Sequence, residues 1–193
     1  MSARPPTSDV LNPVWLRAHG DAHYFGLGFI QIKLDAIWRV HVWTPDWPTI
    51  PGAEYELHDH RYAFNSEVLK GALHHELFMM GPMHATPAPD DLECLSVSCQ
   101  PGEAAKPLHL GYASAIPMGV FQVEAGSAYR LEPDAFHRSF PVAPTVTLLQ
   151  RGPQIKTMAR VMRPQGTPHT CPFSLDRGPE ECWAKIETIL LSR

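Results

Sequence analysis

Proline is scattered along the whole chain, twenty times in 193 residues, from Pro5 to Pro179. That is roughly twice the usual share of about 5%. Its ring fixes φ and removes the amide proton, so it is poorly tolerated inside helices and central strands. Dispersal on this scale excludes a long helical bundle or coiled coil. It favours short strands joined by rigid turns. The chain is long enough for one domain with a full core, with no need of disulfides or metal to fold. Only 19% of residues are charged, the net charge is −4, and no block of like charge occurs. Nucleic acid and anionic membrane are therefore poor partners. No apolar run approaches the roughly 18 residues of a membrane span.

Turn signals every eight to twelve residues separate β-branched and aromatic runs, the pattern of an all-β sandwich or barrel. Expected strands include Phe29–Leu34, Ile37–Trp43, a long stretch from Tyr55 to Leu69, Ala72–Met80, Leu95–Cys99, Val120–Glu124, Phe136–Phe140 and Thr145–Gln150. Lys70-Gly71 is expected to make a hairpin turn between the third and fourth of these. The organisation reads as an N-terminal arm (1–24), one barrel (25–165) with an insertion at 81–108, and a C-terminal tail and helix (166–193). That helix is expected from Pro179 to Leu191. Pro179 suits its first position, Glu180 and Glu181 complement the dipole there, and Trp183, Ile186, Ile189 and Leu190 form an apolar stripe. The cysteines Cys94, Cys99, Cys171 and Cys182 form no CxxC pair, and MSARPPTSDV lacks the apolar run of a secretory leader. The expectation is reduced thiols in a cytoplasmic protein.

Eleven histidines are present, and one spacing among them is informative. His58 and His60 flank Asp59, and residues two apart on a strand face one side. Their imidazoles are then near enough to chelate one ion. His137, opening a strand after the Pro133-Asp134 turn, is the best third ligand. His41 shares a face with Arg39 and Trp43. His75, Tyr62 and Tyr129 are candidates for the same cavity, and Glu67 or Glu76 for a general base. His19, His23, His84, His109 and His169 read as surface or packing residues. Three neutral imidazoles suit Fe, Ni, Cu or Zn better than Mg or Ca.

These residues resemble the cupin superfamily. Its first motif, G-x5-H-x-H-x3,4-E-x6-G, is matched by Gly52, His58, His60 and Gly71. Its second is matched by Gly126, Pro133 and His137, with one residue of slippage on each side of the proline. The glutamate of the first motif would fall at Phe64 or Asn65, neither of them acidic. That departure resembles the three-histidine branch, which includes the cysteine (thiol) dioxygenases. Their I/L-H-D-H and V-L-x-G-x-L stretches read here as Leu57-His58-Asp59-His60 and Val68-Leu69-Lys70-Gly71-Ala72-Leu73. The resemblance implies a cupin-type double-stranded β-helix, a jelly-roll barrel. It also implies a mononuclear metal, Fe(II) first, with Zn, Ni or Mn as alternatives, held by His58, His60 and His137. The function it implies is a non-haem iron(II) dioxygenase acting on a small polar substrate, with thiols as one class. Tyr62, His75 and His41 are candidate catalytic residues, and Arg39 and Arg61 candidate partners of a substrate carboxylate. Two further functions stay open: a Zn-, Mn- or Ni-dependent isomerase or lyase, and a non-catalytic small-ligand-binding cupin. A homodimer is also implied, with the N-terminal arm and the Trp-rich strand 37–43 as candidate contacts.

Overall fold

The computed structural model describes residues 3–98, 107–168, 170–175 and 177–192, so Cys99 and His169 lie outside the described residues. Two short helices open the chain, α1 (Thr7–Val10) and α2 (Pro13–His19). Asn12 caps α2, its side-chain oxygen accepting from the amides of Val14 and Trp15 while Pro13 takes the first helical position. Strands β1 (Asp21–Phe25), β2 (Phe29–Lys33) and β3 (Trp38–Trp43) follow as a meander. Next come β4 (Leu57–His58), β5 (Tyr62–Lys70) and β6 (Ala72–Met80), then β7 (Leu92–Val97) and β8 (Leu108–Ala113). The remaining elements are β9 (Ala115–Glu124), β10 (Ala128–Leu131), β11 (Phe136–Pro141), β12 (Thr145–Gln154), β13 (Ala159–Arg163) and helix α3 (Pro179–Leu191).

The pairing is nested and antiparallel. β3 pairs with β12, β4 with β11, β5 with β10 and β6 with β9. Successive pairs alternate between two sheets, ordered β1-β2-β3-β12-β5-β10 and β8-β7-β13-β4-β11-β6-β9. One long hairpin wound in this way is the double-stranded β-helix of a jelly roll, the architecture that the motif spacing implies.

The local reading needs two corrections. Tyr55–Leu69 is not one strand: β4 ends at His58, and the chain crosses to the other sheet before β5 begins at Tyr62. Nor is Lys70-Gly71 a hairpin turn, because β5 and β6 belong to different sheets. Gly71 sits at a barrel corner with φ +75°, and a Cβ there would lie 2.6 Å from the Pro144 carbonyl oxygen. Only glycine fits both demands.

The region expected as a loose insertion carries the β7–β8 hairpin. β8 and β9 are one strand bent at Ser114: Ala113 pairs with Leu92 of β7, and Ala115 pairs with Met80 of β6. The bend joins the two edges of its sheet around a small core of Leu57, Cys94, Ala113, Phe136 and Met162.

The largest core lies outside the barrel. Ile30, Ile32, Trp38, Val40, Val42, Val146 and Leu148 turn outward from the first sheet and pack beneath the helices, against Val10, Leu16, Trp183, Ile186 and Ile189. Trp38 and Trp43 are both buried and β3 lies between β2 and β12, so the Trp-rich strand offers no outer surface for a second chain. Because side chains alternate along a strand, the same β3 that buries Trp38, Val40 and Val42 outward sends Arg39, His41 and Trp43 into the barrel. No helix among the described residues is long and apolar enough to cross a membrane.

Candidate metal centre

His58 ends β4 and lies directly across from His137 on β11. His60 comes from the crossing segment between β4 and β5, not from the strand that carries His58. The crossing nevertheless returns its ring to the pair. Ring centroids lie 4.5 Å apart for His58 and His137, 5.0 Å for His60 and His137, and 5.1 Å for His58 and His60. The Nε2 atoms of His60 and His137 are 2.7 Å apart. One nitrogen from each of the three rings falls within 4.8 Å of the others.

Burial depresses the basicity of all three. His58 is lowered to about 4, with Asp59 opposing the shift. His60 and His137 fall well below their ordinary value, through burial first and neighbouring positive charge second. At neutral pH the rings are neutral, and neutral imidazole is the form that binds a metal ion. Among the described residues the buried Nδ1 of His58 makes no well-formed hydrogen bond, although the Glu56 backbone lies close enough to favour its protonated form. Phe64, in the register of the motif's missing glutamate, is buried and stands edge-on to His60 at 4.8 Å. The donor set therefore fits a divalent transition ion held on one face by three nitrogens, with no carboxylate grouped with them among the described residues.

Asp59 fixes the segment that carries two of the three rings. Its side chain is fully buried, and Lys156 Nζ and Arg160 Nε each donate to Oδ2 at 2.7 Å. The Arg160 amide donates to Oδ1 at 2.7 Å. Lys156 also donates to the Pro133 carbonyl oxygen at 2.8 Å, and the His60 amide donates to that same oxygen. One carboxylate thus ties the His58–His60 segment, β13 and the turn before His137 into a single unit.

A cavity of about 340 Å³ opens over the three rings. Phe29, Trp43, Trp47, Phe64, Tyr129 and Phe140 are among the residues that line it. Glu56 lines it too, buried and two residues before His58; desolvation pushes its carboxyl up to about 7 while Arg163 opposes. Arg138 also faces the cavity, but it donates to Glu76 at 2.5 Å and to the Glu54 carbonyl oxygen at 2.8 Å.

The candidate residues separate into three places. His41 lines the cavity, its ring tilted against Phe29 at 4.5 Å, with burial lowering it to about 3. His75 lies behind His137, its ring stacked at 4.9 Å. Its Nδ1 is 2.7 Å from the Ser139 hydroxyl, which is also 3.4 Å from His137 Nδ1. Tyr62 is near His60, at 5.8 Å between rings, but its hydroxyl accepts from Arg39 and its ring lies 4.0 Å beneath the Arg151 guanidinium, outside the cavity lining. Arg39 and Arg61 do not line the cavity either. Glu67 is paired with Arg4 and Glu76 with Arg138. Sequence reasoning missed Glu56, Phe64 as a wall, Ser139 and the anchoring role of Asp59. Only Glu56 had a readable signal, its two-residue offset from His58.

No family model matches the sequence, and no curated protein matches it. Among solved structures, the chain is similar to a hydroquinone 1,2-dioxygenase, PnpCD, in complex with Cd2+ and 4-hydroxybenzonitrile. The identity is 14%, with 80% of each chain covered and a TM-score of 0.36. It is also similar to the hydroquinone 1,2-dioxygenase from Sphingomonas sp. TTNP3 with 4-hydroxybenzoate bound, at 11% identity. There 61% of this chain and 60% of the other are covered, with a TM-score of 0.33.

Proposed function

We propose that this chain is a mononuclear non-haem metal dioxygenase acting on a small organic molecule, with Fe(II) as the working ion. One observation carries the reading: three neutral histidine nitrogens converge on the wall of a cavity, and a phenylalanine stands where a carboxylate ligand would be. His58, His60 and His137 hold the metal on one face. The ion, when bound, supplies open coordination positions at which substrate and dioxygen meet. The protein's own part is to keep the imidazoles neutral, to hold His58 and His60 in register through Asp59, and to keep water off the reacting face with aromatic walls. Ser139 and His75 orient His137 from behind, as outer partners of ligating histidines do. The isomerase or lyase reading needs a base near the metal; of the three residues considered for it, Glu67 and Glu76 are held in ion pairs, while His75 is buried and stacked on His137, so this reading keeps one candidate base. A homodimer and a cytoplasmic setting belong to the same proposal.

Elemental analysis of the purified chain, coupled to an oxygen electrode, tests it. About one transition-metal ion per chain is expected, with loss of the ion and of oxygen uptake in His137→Ala. Full metal occupancy in that variant overturns the ligand set.

A further inference from the structure

The cavity over the three histidines is built for a particular kind of molecule. Five aromatic residues, Phe29, Trp43, Trp47, Phe64 and Phe140, are among those that line it. At about 340 Å³ it exceeds by roughly twofold an apolar hole that accepts benzene, of the order of 150 Å³. The space is enough for one ring with substituents, and flat apolar walls favour a flat apolar guest.

The polar groups decide what that guest carries. Arg138 is the only arginine or lysine among the described lining residues, and it is already engaged by Glu76 and the Glu54 carbonyl oxygen. Arg39 and Arg151 flank Tyr62 outside the lining. A substrate carboxylate would meet no free cation in this cavity. Glu56 is the opposite case. It is 6% exposed and lines the cavity, and the charge that acts on it, Arg163 of β13, stands outside the lining. Extended backbone at Glu56 gives it the parity of His58, so both side chains leave β4 on the cavity side. A carboxyl that faces a cavity can accept a hydrogen bond from a ligand that supplies a donor.

We infer that the substrate is a flat apolar ring bearing a hydroxyl or amine donor, oriented by Glu56, and not a carboxylate-bearing thiol. Calling this ligand the substrate rests on the dioxygenase reading; the binding preference itself does not. The ring lies between Trp43 and Phe64, and its donor meets the Glu56 carboxyl. The reacting edge then faces His58, His60 and His137.

Binding of phenol, anisole and cysteine is measured by quenching of tryptophan fluorescence, on the Zn(II)-loaded chain and again on the chelator-treated chain. Phenol and anisole share the ring; only phenol has the donor. Phenol is expected to bind roughly tenfold more tightly than anisole, as one well-placed hydrogen bond allows. Cysteine is expected to show no saturable binding to the chelator-treated chain. Glu56→Leu is expected to bring phenol down to anisole while leaving anisole unchanged. Cysteine binding as tightly as phenol to the metal-free chain overturns the inference, and so does equal binding of phenol and anisole there. A phenol preference that survives Glu56→Leu overturns the role of Glu56. Circular dichroism checks that the variant folds; if it does not, the ranking of the three ligands on the unaltered chain decides. Metal content is measured on the same samples. A chain that takes up no metal defeats the dioxygenase reading while leaving the ring preference to stand or fall on the metal-free data.

Discussion

Phe64 shows how one residue sets the chemistry of its neighbours. It occupies the register of an acidic ligand, is almost completely buried, and presents its edge to His60. A carboxylate at that position would be paired in the presence of a divalent cation and isolated without it. Isolated buried charge is strongly unfavourable. Phe64→Glu is therefore expected to lower the melting temperature of the metal-free chain by several degrees and to recover much of that loss on adding Zn(II). Parallel thermal melts with and without metal read this directly. A variant equally destabilised in both conditions would show that position 64 does not face the ion. The sequence reading narrows this position to Phe64 or Asn65 because the motif counts residues. It missed Ser139 and the cavity role of Glu56, whose neighbours come from strands far away in the chain.

At the level of elements, the sequence was most legible where the controlling interactions are local. Helix α3 runs from Pro179 to Leu191 as expected, since its proline start, acidic first turn and apolar stripe all lie within its own thirteen residues. It failed where a sheet change interrupts a strand-like run. Nothing in Leu57-His58-Asp59-His60-Arg61 marks the crossing between sheets, because Asp59 is held there by Lys156 and Arg160, a hundred residues away in sequence. The hairpin expected at Lys70-Gly71 failed for the same reason: a glycine with positive φ serves a barrel corner as well as a turn. The anchoring of the crossing is testable. Asp59→Asn keeps the shape but leaves Lys156 and Arg160 without their shared charge partner, and breaking a buried pair typically costs about 3–5 kcal/mol. Denaturant titration is expected to show a loss in that range, and metal occupancy is expected to fall with it. Unchanged stability would mean that Asp134, which also accepts from both cations, suffices alone.

For the whole molecule, the buried histidines form one collective term in stability. His41 is lowered to about 3 and His58 and His75 to about 4, with His60 and His137 also well below their ordinary value. Between their unfolded value of about 6.5 and these lowered values, the unfolded chain binds protons that the folded chain refuses. Stability is thus fully present above about pH 6.5 and drains away as the pH falls toward 4. Glu56 works in the other direction: it holds a proton in the folded chain up to about pH 7, which favours folding at the lower pH. One carboxyl does not offset five imidazoles. The melting temperature of the chelator-treated chain is expected to fall steadily between pH 6.5 and 4, and a flat profile would contradict the burial of these rings as neutral groups.

The core beneath the helices has a consequence for the order of assembly. It joins Val10 of the first helix and Ile189 of the last to the outward face of β2, β3 and β12. On the ribosome, both sheets of the barrel can pair before α3 has been made, yet the part of the outer face that α3 covers stays open until then. A nascent chain at that stage exposes Ile32, Trp38, Val40 and Val42, a hydrophobic face in search of a cover. Apolar surface left open in that interval is the kind that makes folding intermediates prone to aggregate.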